Sequence, residues 1–133
     1  MTSAALPRAG GQSRKTVLVV DDDHDARNLL TSVLESAEYD VLQAGDGAEA
    51  LRVLAGRGAQ CSIILLDLMM PVMNGWDFRR KQRENAELAG IPVLLMSAGA
   101  HIAVVSGDLD AAGFMAKPVE VADLLAQVKK HCA

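Results

Sequence analysis

The 133 residues are 50% hydrophobic and carry 17 acidic against 13 basic side chains, a net charge of -4, with a pI of about 5.3. That length and apolar content fit one folded domain and exclude extensive disorder. The acidic balance argues against duplex DNA or an anionic membrane as partner, because both need concentrated positive charge.

Met1 to Arg14 is rich in Ala, Gly and Ser and lacks the continuous apolar core of a secretory signal. A mobile tail is therefore expected over 1–14, with one domain over 15–133. Thr16 to Val20 is a β-branched run that stops at Asp21-Asp22-Asp23 and reads as the first strand. From Asp25, the residues Ala26, Leu29, Leu30, Val33, Leu34 and Ala37 fall on one face at helical spacing, with acids at the positive end of the helix dipole. Tyr39 to Ala44 reads as a second strand. Asp46 to Glu49 has the form of a capping box opening a helix through Leu54, which Gly56 and Gly58 end.

Ser62 to Asp67 is an unbroken apolar run ending on one carboxylate, followed by a loop closed by Pro71 and Asn74-Gly75. It is short enough for a central strand covered on both faces. Trp76 to Glu84 reads as a polar helix with Arg79, Arg80, Lys81 and Arg83 on a solvated face. Ile91 to Met96, with its proline near the start, is a fourth strand ending at Ser97. Ala100 to Leu109 is a weak helix, since Val104 and Val105 are stiff and Gly107 is costly within a turn. Ala112 to Ala116 is a fifth strand ending at Lys117-Pro118. The last helix places Val121, Leu124, Leu125 and Val128 on one face, with acids early and Lys129, Lys130 and His131 late.

Strands and helices alternating five times imply a doubly wound α/β parallel sheet with helices on both faces. In such sheets ligands bind beyond the carboxyl ends of the strands. Four apolar strands here end on polar groups: Asp21 and Asp22, Asp67, Ser97 and Lys117. Gathered at one edge, three carboxylates call for a hard cation among them, and Mg²⁺ takes a few protein oxygens together with water or phosphate. Metal, ammonium and hydroxyl are what a transferring phosphoryl group needs, and a carboxylate can serve as its nucleophile. Singly, each residue has a plainer explanation as a cap, a turn residue or a solvated lysine. His24, His101 and His131 share no metal spacing and read as surface residues. Cys61 and Cys132 show no metal pattern and point to a reducing cytoplasm. No apolar run approaches the length that spans a membrane.

From Lys15 to the C-terminus the chain resembles a receiver domain of two-component response regulators. The resemblance rests on Val17 to Asp22, Leu65 to Gly75, Val93 to Ala98 and Phe114 to Pro118, in matching order and spacing. It implies a flavodoxin-like five-stranded parallel sheet in the order 2-1-3-4-5 with five helices. Asp67 would accept a phosphoryl group from a sensor histidine kinase or a His phosphotransfer protein. Asp21, Asp22, Asp67 and the main-chain carbonyl of Met69 would hold Mg²⁺, with Mn²⁺ as substitute. Lys117 would pair with the acids and then with the phosphoryl group, across a cis bond to Pro118. Ser97 and Phe114 would act as the switch, altering a helix-four, strand-five, helix-five face on which a downstream protein docks. The sole chemistry implied is the domain's own phosphorylation and dephosphorylation. No nucleic acid or membrane contact is expected, and the chain is expected to be a cytoplasmic monomer or weak homodimer.

Serine stands at 97 where threonine is commoner, and Phe114 lacks a phenol oxygen. Met69 and Gly99 flank the expected phosphoryl site. A phosphatase of the haloacid dehalogenase type would need an acid where Met69 stands, and a flavin carrier would need a phosphate-cradling loop where the three acids stand. The remaining alternative is a receiver-like interaction module that is never phosphorylated. The chain closes after the fifth helix, so it is expected either to act alone by docking or to be a piece of a longer hybrid protein.

Overall fold

The computed structural model describes residues 14–98 and 102–132. In chain order it contains β1 (Thr16–Val20), α1 (His24–Ser36), β2 (Asp40–Ala44), α2 (Gly47–Leu54), β3 (Cys61–Asp67), α3 (Gly75–Glu84), β4 (Val93–Ser97), α4 (Ile102–Asp108), β5 (Gly113–Ala116) and α5 (Val121–His131). The strands are all parallel and lie in the order β2-β1-β3-β4-β5. This is the flavodoxin-like arrangement expected from the sequence. The predicted tail falls almost wholly outside the described residues, as do Gly99, Ala100 and His101.

The strand period of two sorts alternate residues onto two cores. Val17, Val19, Ile63, Leu65, Leu94, Met96 and Met115 join Leu30 and Leu34 of α1 and Leu124 and Val128 of α5. Leu18, Val20, Ile64, Leu66, Val93 and Leu95 join Ala50 and Leu54 of α2, Phe78 of α3 and Ile102 of α4. Each fully buried Val, Leu or Ile is worth about 1.5–3 kcal/mol relative to exposure. A slip of β3 by one residue would exchange its two faces and misplace Asp67.

The helices start where side chains satisfy their free amides. Asp23 accepts from the amides of Asp25 and Ala26 at the head of α1, and Asn74 accepts from Asp77 at the head of α3. Asp46 accepts from Glu49 at the head of α2. The Glu49 carboxylate reaches back to the amide of Gly45 rather than to the cap residue itself.

Four surface assignments differ from the sequence reading, the first being Ala37, which is exposed just past the end of α1. Leu29 is exposed, and Thr31 takes the buried position on α1; its hydroxyl donates to the Arg27 carbonyl at 2.8 Å, which satisfies the only polar atom it buries. Val121 is exposed at the first turn of α5. Arg79, expected on a solvated face, is 5% exposed. Its guanidinium donates to the carbonyls of Leu109 and Asp110 and to Gln82 Oε1 at 2.8–2.9 Å. Buried Gln82 in turn donates to the Leu88 and Ile91 carbonyls. Arg80, Lys81 and Arg83 are exposed as predicted. Among the described residues no helix is long and apolar enough to cross a membrane.

Candidate functional site

Asp21 follows β1 directly and is fully buried. Its amide donates to the Ala44 carbonyl at 3.1 Å, so the ladder between β1 and β2 fixes its backbone one residue beyond the strand. Its Oδ1 accepts from the Asp23 amide at 2.9 Å. Asp67 ends β3 and sits opposite Met96 of β4; it is 4% exposed, and its Oδ1 accepts from the Met69 amide at 3.2 Å. Asp22 is exposed, and one carboxylate oxygen from each of Asp21, Asp22 and Asp67 lies within 4.8 Å of the others.

Lys117 ties this group together. Its Nζ donates to Asp21 Oδ2 at 2.9 Å and to Asp67 Oδ2 at 3.2 Å. The Lys117 amide donates to the Ser97 carbonyl at 3.0 Å, so the end of β5 is held to the end of β4. The Lys117-Pro118 peptide bond is cis. Ser97 is buried at the carboxyl end of β4, one residue beyond the Asp67–Met96 pair, and therefore at the same sheet edge. Phe114 lies in β5 opposite Leu95 and is 39% exposed.

The loop from β3 to α3 closes on itself at Gly75. The Gly75 amide donates to the Leu68 carbonyl at 3.0 Å, and a Cβ there would meet the Asp67 carbonyl at 2.7 Å and Leu68 Cα at 2.8 Å. Only glycine allows that approach. Within the loop, Val72 has φ of 65° and is 86% exposed, while the Met73 amide bonds the Pro71 carbonyl at 2.7 Å. Gly47 meets the same loop, its amide donating to the Met73 carbonyl at 2.9 Å.

Charge and burial oppose each other here. Burial pushes the Asp67 carboxyl above the ordinary carboxylate range; Lys117 and the Met69 amide pull it back, and the Asp21 charge pushes it further up. For Lys117, burial acts to lower the ammonium, but the bonds and charges of Asp21 and Asp67 prevail and the net shift is upward. Three carboxylates against one ammonium leave an excess of negative charge at an edge that Asp22 opens to solvent. Hard oxygen donors with that charge suit a small divalent cation.

Arg27 escaped the sequence reading. Its Nη1 donates to the Asp21 carbonyl at 2.7 Å and its Nε to Gln43 Oε1 at 2.9 Å. An arginine in the first turns of a helix opposes the dipole unless an oxygen nearby needs it, and that placement was the available signal. Outside the site, burial pushes the Cys61 thiol up to about 11, and Cys132 is also buried, so neither cysteine offers a thiolate for chemistry. His24 is exposed and His131 partly so, and neither joins the acids.

Comparison with known proteins agrees with the geometry. The model of the response regulator receiver domain family matches residues 17–129. The DNA-binding response regulator MtrA of Mycobacterium tuberculosis is 36% identical over 118 residues, covering 87% of this chain and 50% of that protein. The two-component response regulator ORR7 of Oryza sativa is 36% identical over 110 residues, covering 81% of this chain and 52% of its own. The chain thus spans about half the length of the curated relatives it matches. Among solved structures, the chemotaxis protein CheY4 of Vibrio cholerae superposes with a TM-score of 0.81 at 28% identity, covering 90% of this chain and 99% of that one. A response regulator from Chloroflexus aurantiacus gives 0.83 at 27% identity, covering 90% and 98%.

Proposed function

The chain belongs to the response regulator receiver domain family, and on that footing we propose that Asp67 is its phosphoacceptor, charged by the phosphohistidine of a sensor histidine kinase or a phosphotransfer protein. The observation that carries this reading is the bridge from Lys117 Nζ to Asp21 and Asp67. It holds a nucleophile, its charge partner and a metal-competent acid cluster at one sheet edge.

A carboxylate oxygen of Asp67 bonds to phosphorus as the phosphorus–nitrogen bond of the donor breaks. The electron pair of that bond stays with the imidazole, which takes up a proton, and the product is an acyl phosphate. Attack by water on the same phosphorus returns the carboxylate and inorganic phosphate, the one hydrolytic step the domain performs. Lys117 keeps its proton throughout, and its ammonium exchanges the Asp67 oxygen for a phosphoryl oxygen. The buried Ser97 hydroxyl donates to another.

Asp21, Asp22, Asp67 and the main-chain carbonyl of Met69 would hold Mg²⁺, with Mn²⁺ a substitute of the same oxygen preference. Bound there, the ion supplies neutralisation of the charge on the phosphoryl oxygens. Output follows from Ser97 and Phe114, whose movement alters the face of α4, β5 and α5 for a downstream protein. Stiff Val104 and Val105 and the costly Gly107 within α4 support an element that yields at low cost. Net acidity supports a protein partner over nucleic acid, and free cysteines suit the cytoplasm.

The test is intact mass after incubation with acetyl phosphate and Mg²⁺, beside Asp67→Asn. A phosphoryl adduct on the wild type alone is expected. Equal labelling of both, or no labelling even with a demonstrated donor kinase, overturns the assignment.

A further inference from the structure

We infer that the groove between α3 and the end of α4 is a docking site for an acidic segment of a partner protein that carries an apolar or aromatic anchor. The groove encloses about 480 Å³ and is lined by Trp76, Arg79, Arg80, Arg83, Glu84 and Leu109. That volume lies within the range of concave binding sites, about 300–1,000 Å³. The groove runs from Trp76, in the first turn of α3, to Leu109, which precedes β5, and so reaches toward the amino-terminal edge of the sheet.

Its chemistry is divided. Trp76 and Leu109 are partly buried against the core and offer apolar surface. Around them stand guanidinium groups with different duties. Arg79 is engaged by Leu109, Asp110 and Gln82 and serves to fix the wall. Arg80 pairs with Asp77 at 2.6 Å, an exposed bond of small net worth that a better acid can displace. Arg83 is exposed and has no acidic partner among the described residues. Its charge also lowers the pKa of Arg79, after burial, so an anion at Arg83 relieves a repulsion already present.

Charge complementarity chooses the occupant. Four of the chain's 13 basic residues lie in the five positions from Arg79 to Arg83, although the chain as a whole carries -4. A short run of carboxylates can use this local positive spot. An extended polyanion such as nucleic acid would run from it onto acidic surface. Trp76 and Leu109 give an anchoring side chain something to cover, as interface hot spots require. Glu84 on the rim repels acids at that end and so gives the segment a direction.

Trp76 is the sole tryptophan, so its fluorescence reads the groove directly. The probe is a short synthetic peptide of Asp and Glu around a central Phe-Leu pair. Comparison ligands carry Lys in place of the acids, carry Ser in place of Phe-Leu, or are single-stranded oligothymidylate. Saturable change in Trp76 emission is expected with the first peptide, weakening as salt rises. Affinity should fall about tenfold or more in Arg80→Ala/Arg83→Glu and by a smaller factor in Arg83→Ser. Both positions are exposed, and unchanged circular dichroism and acetyl phosphate labelling check that the variants are folded. Absence of saturable binding, equal affinity in the double variant, or equal response to the lysine or serine peptide overturns the inference. Tighter binding of the oligothymidylate replaces it with a nucleic-acid site.

Discussion

Lys117 Nζ lies 3.2 Å from Asp67 Oδ2 across fifty residues of chain. The contact closes the sheet edge in space, because β5 and β3 are not neighbours and only the side chain spans β4 between them.

Lys117→Met removes that closure and leaves buried Asp21 and Asp67 without their ammonium. Because the folded pKa of Lys117 is raised, its contribution is full below the unfolded value of about 10.4 and is lost as pH rises through the folded value. The variant should lose about 2–3 kcal/mol at pH 7 in chelator, less than a fully buried pair since Lys117 is partly exposed. Urea denaturation at pH 7 and above pH 11 checks this, with the difference narrowing at the higher pH.

Asp67→Asn should move stability the other way. The folded pKa of Asp67 is raised, first by burial, so the folded state holds the proton more tightly than the unfolded state. Stability from this group is therefore present below about pH 3.9 and is lost as pH rises through the folded pKa. In chelator at pH 7, Asn should raise Tm by a few degrees and flatten the acid side of the pH profile. With Mg²⁺ at ten times its Kd the wild type should gain about 1.4 kcal/mol, and Asn much less. Thermal melts with and without Mg²⁺ decide it.

Gly75→Ala puts a methyl group within 2.7 Å of the Asp67 carbonyl and 2.8 Å of Leu68 Cα. Both are main-chain atoms and cannot rotate away. A cost of about 1–3 kcal/mol is expected, together with slower labelling by acetyl phosphate because the Asp67 backbone shifts. Normal stability combined with normal labelling would refute the close approach.

Arg79→Met keeps much of the buried volume but deserts the carbonyls of Leu109 and Asp110 and the amide oxygen of Gln82. About 2–3 kcal/mol should be lost, and hydrogen exchange should quicken in α4 and the turn after it. Protection unchanged in 102–111 would show that the tether does not hold the helix.

The strands and the acid edge were legible from Thr16–Val20, Ser62–Asp67 and Val93–Met96, because apolar runs between turn residues have few other solutions, whereas the strand order followed from the family resemblance alone. The lysine at 117 was legible for the same reason. Arg79 was not. Sequence pattern placed it with Arg80, Lys81 and Arg83, and only the tertiary approach of Leu109 and Asp110, thirty residues away, makes its burial affordable. Leu29 was misplaced and buried Thr31 passed over because a helical stripe is judged by hydrophobicity, whereas Thr31 hides its hydroxyl on its own helix at Arg27. Arg27 needed the position of the Asp21 carbonyl, which composition cannot supply.

Val72 holds a left-handed φ that a β-branched residue adopts at a cost of about 1–3 kcal/mol, and its side chain is out in water, where no core contact repays it. The loop that follows Asp67 is therefore wound tighter than its own sequence prefers. Val72→Asn, which tolerates that geometry, should gain about 0.5–1 kcal/mol in chemical denaturation without disturbing any carboxylate. Set against Gly75→Ala, it gives two opposite adjustments of the same short tether, and acyl phosphate half-life measured across the pair would report how slack that tether must be for hydrolysis.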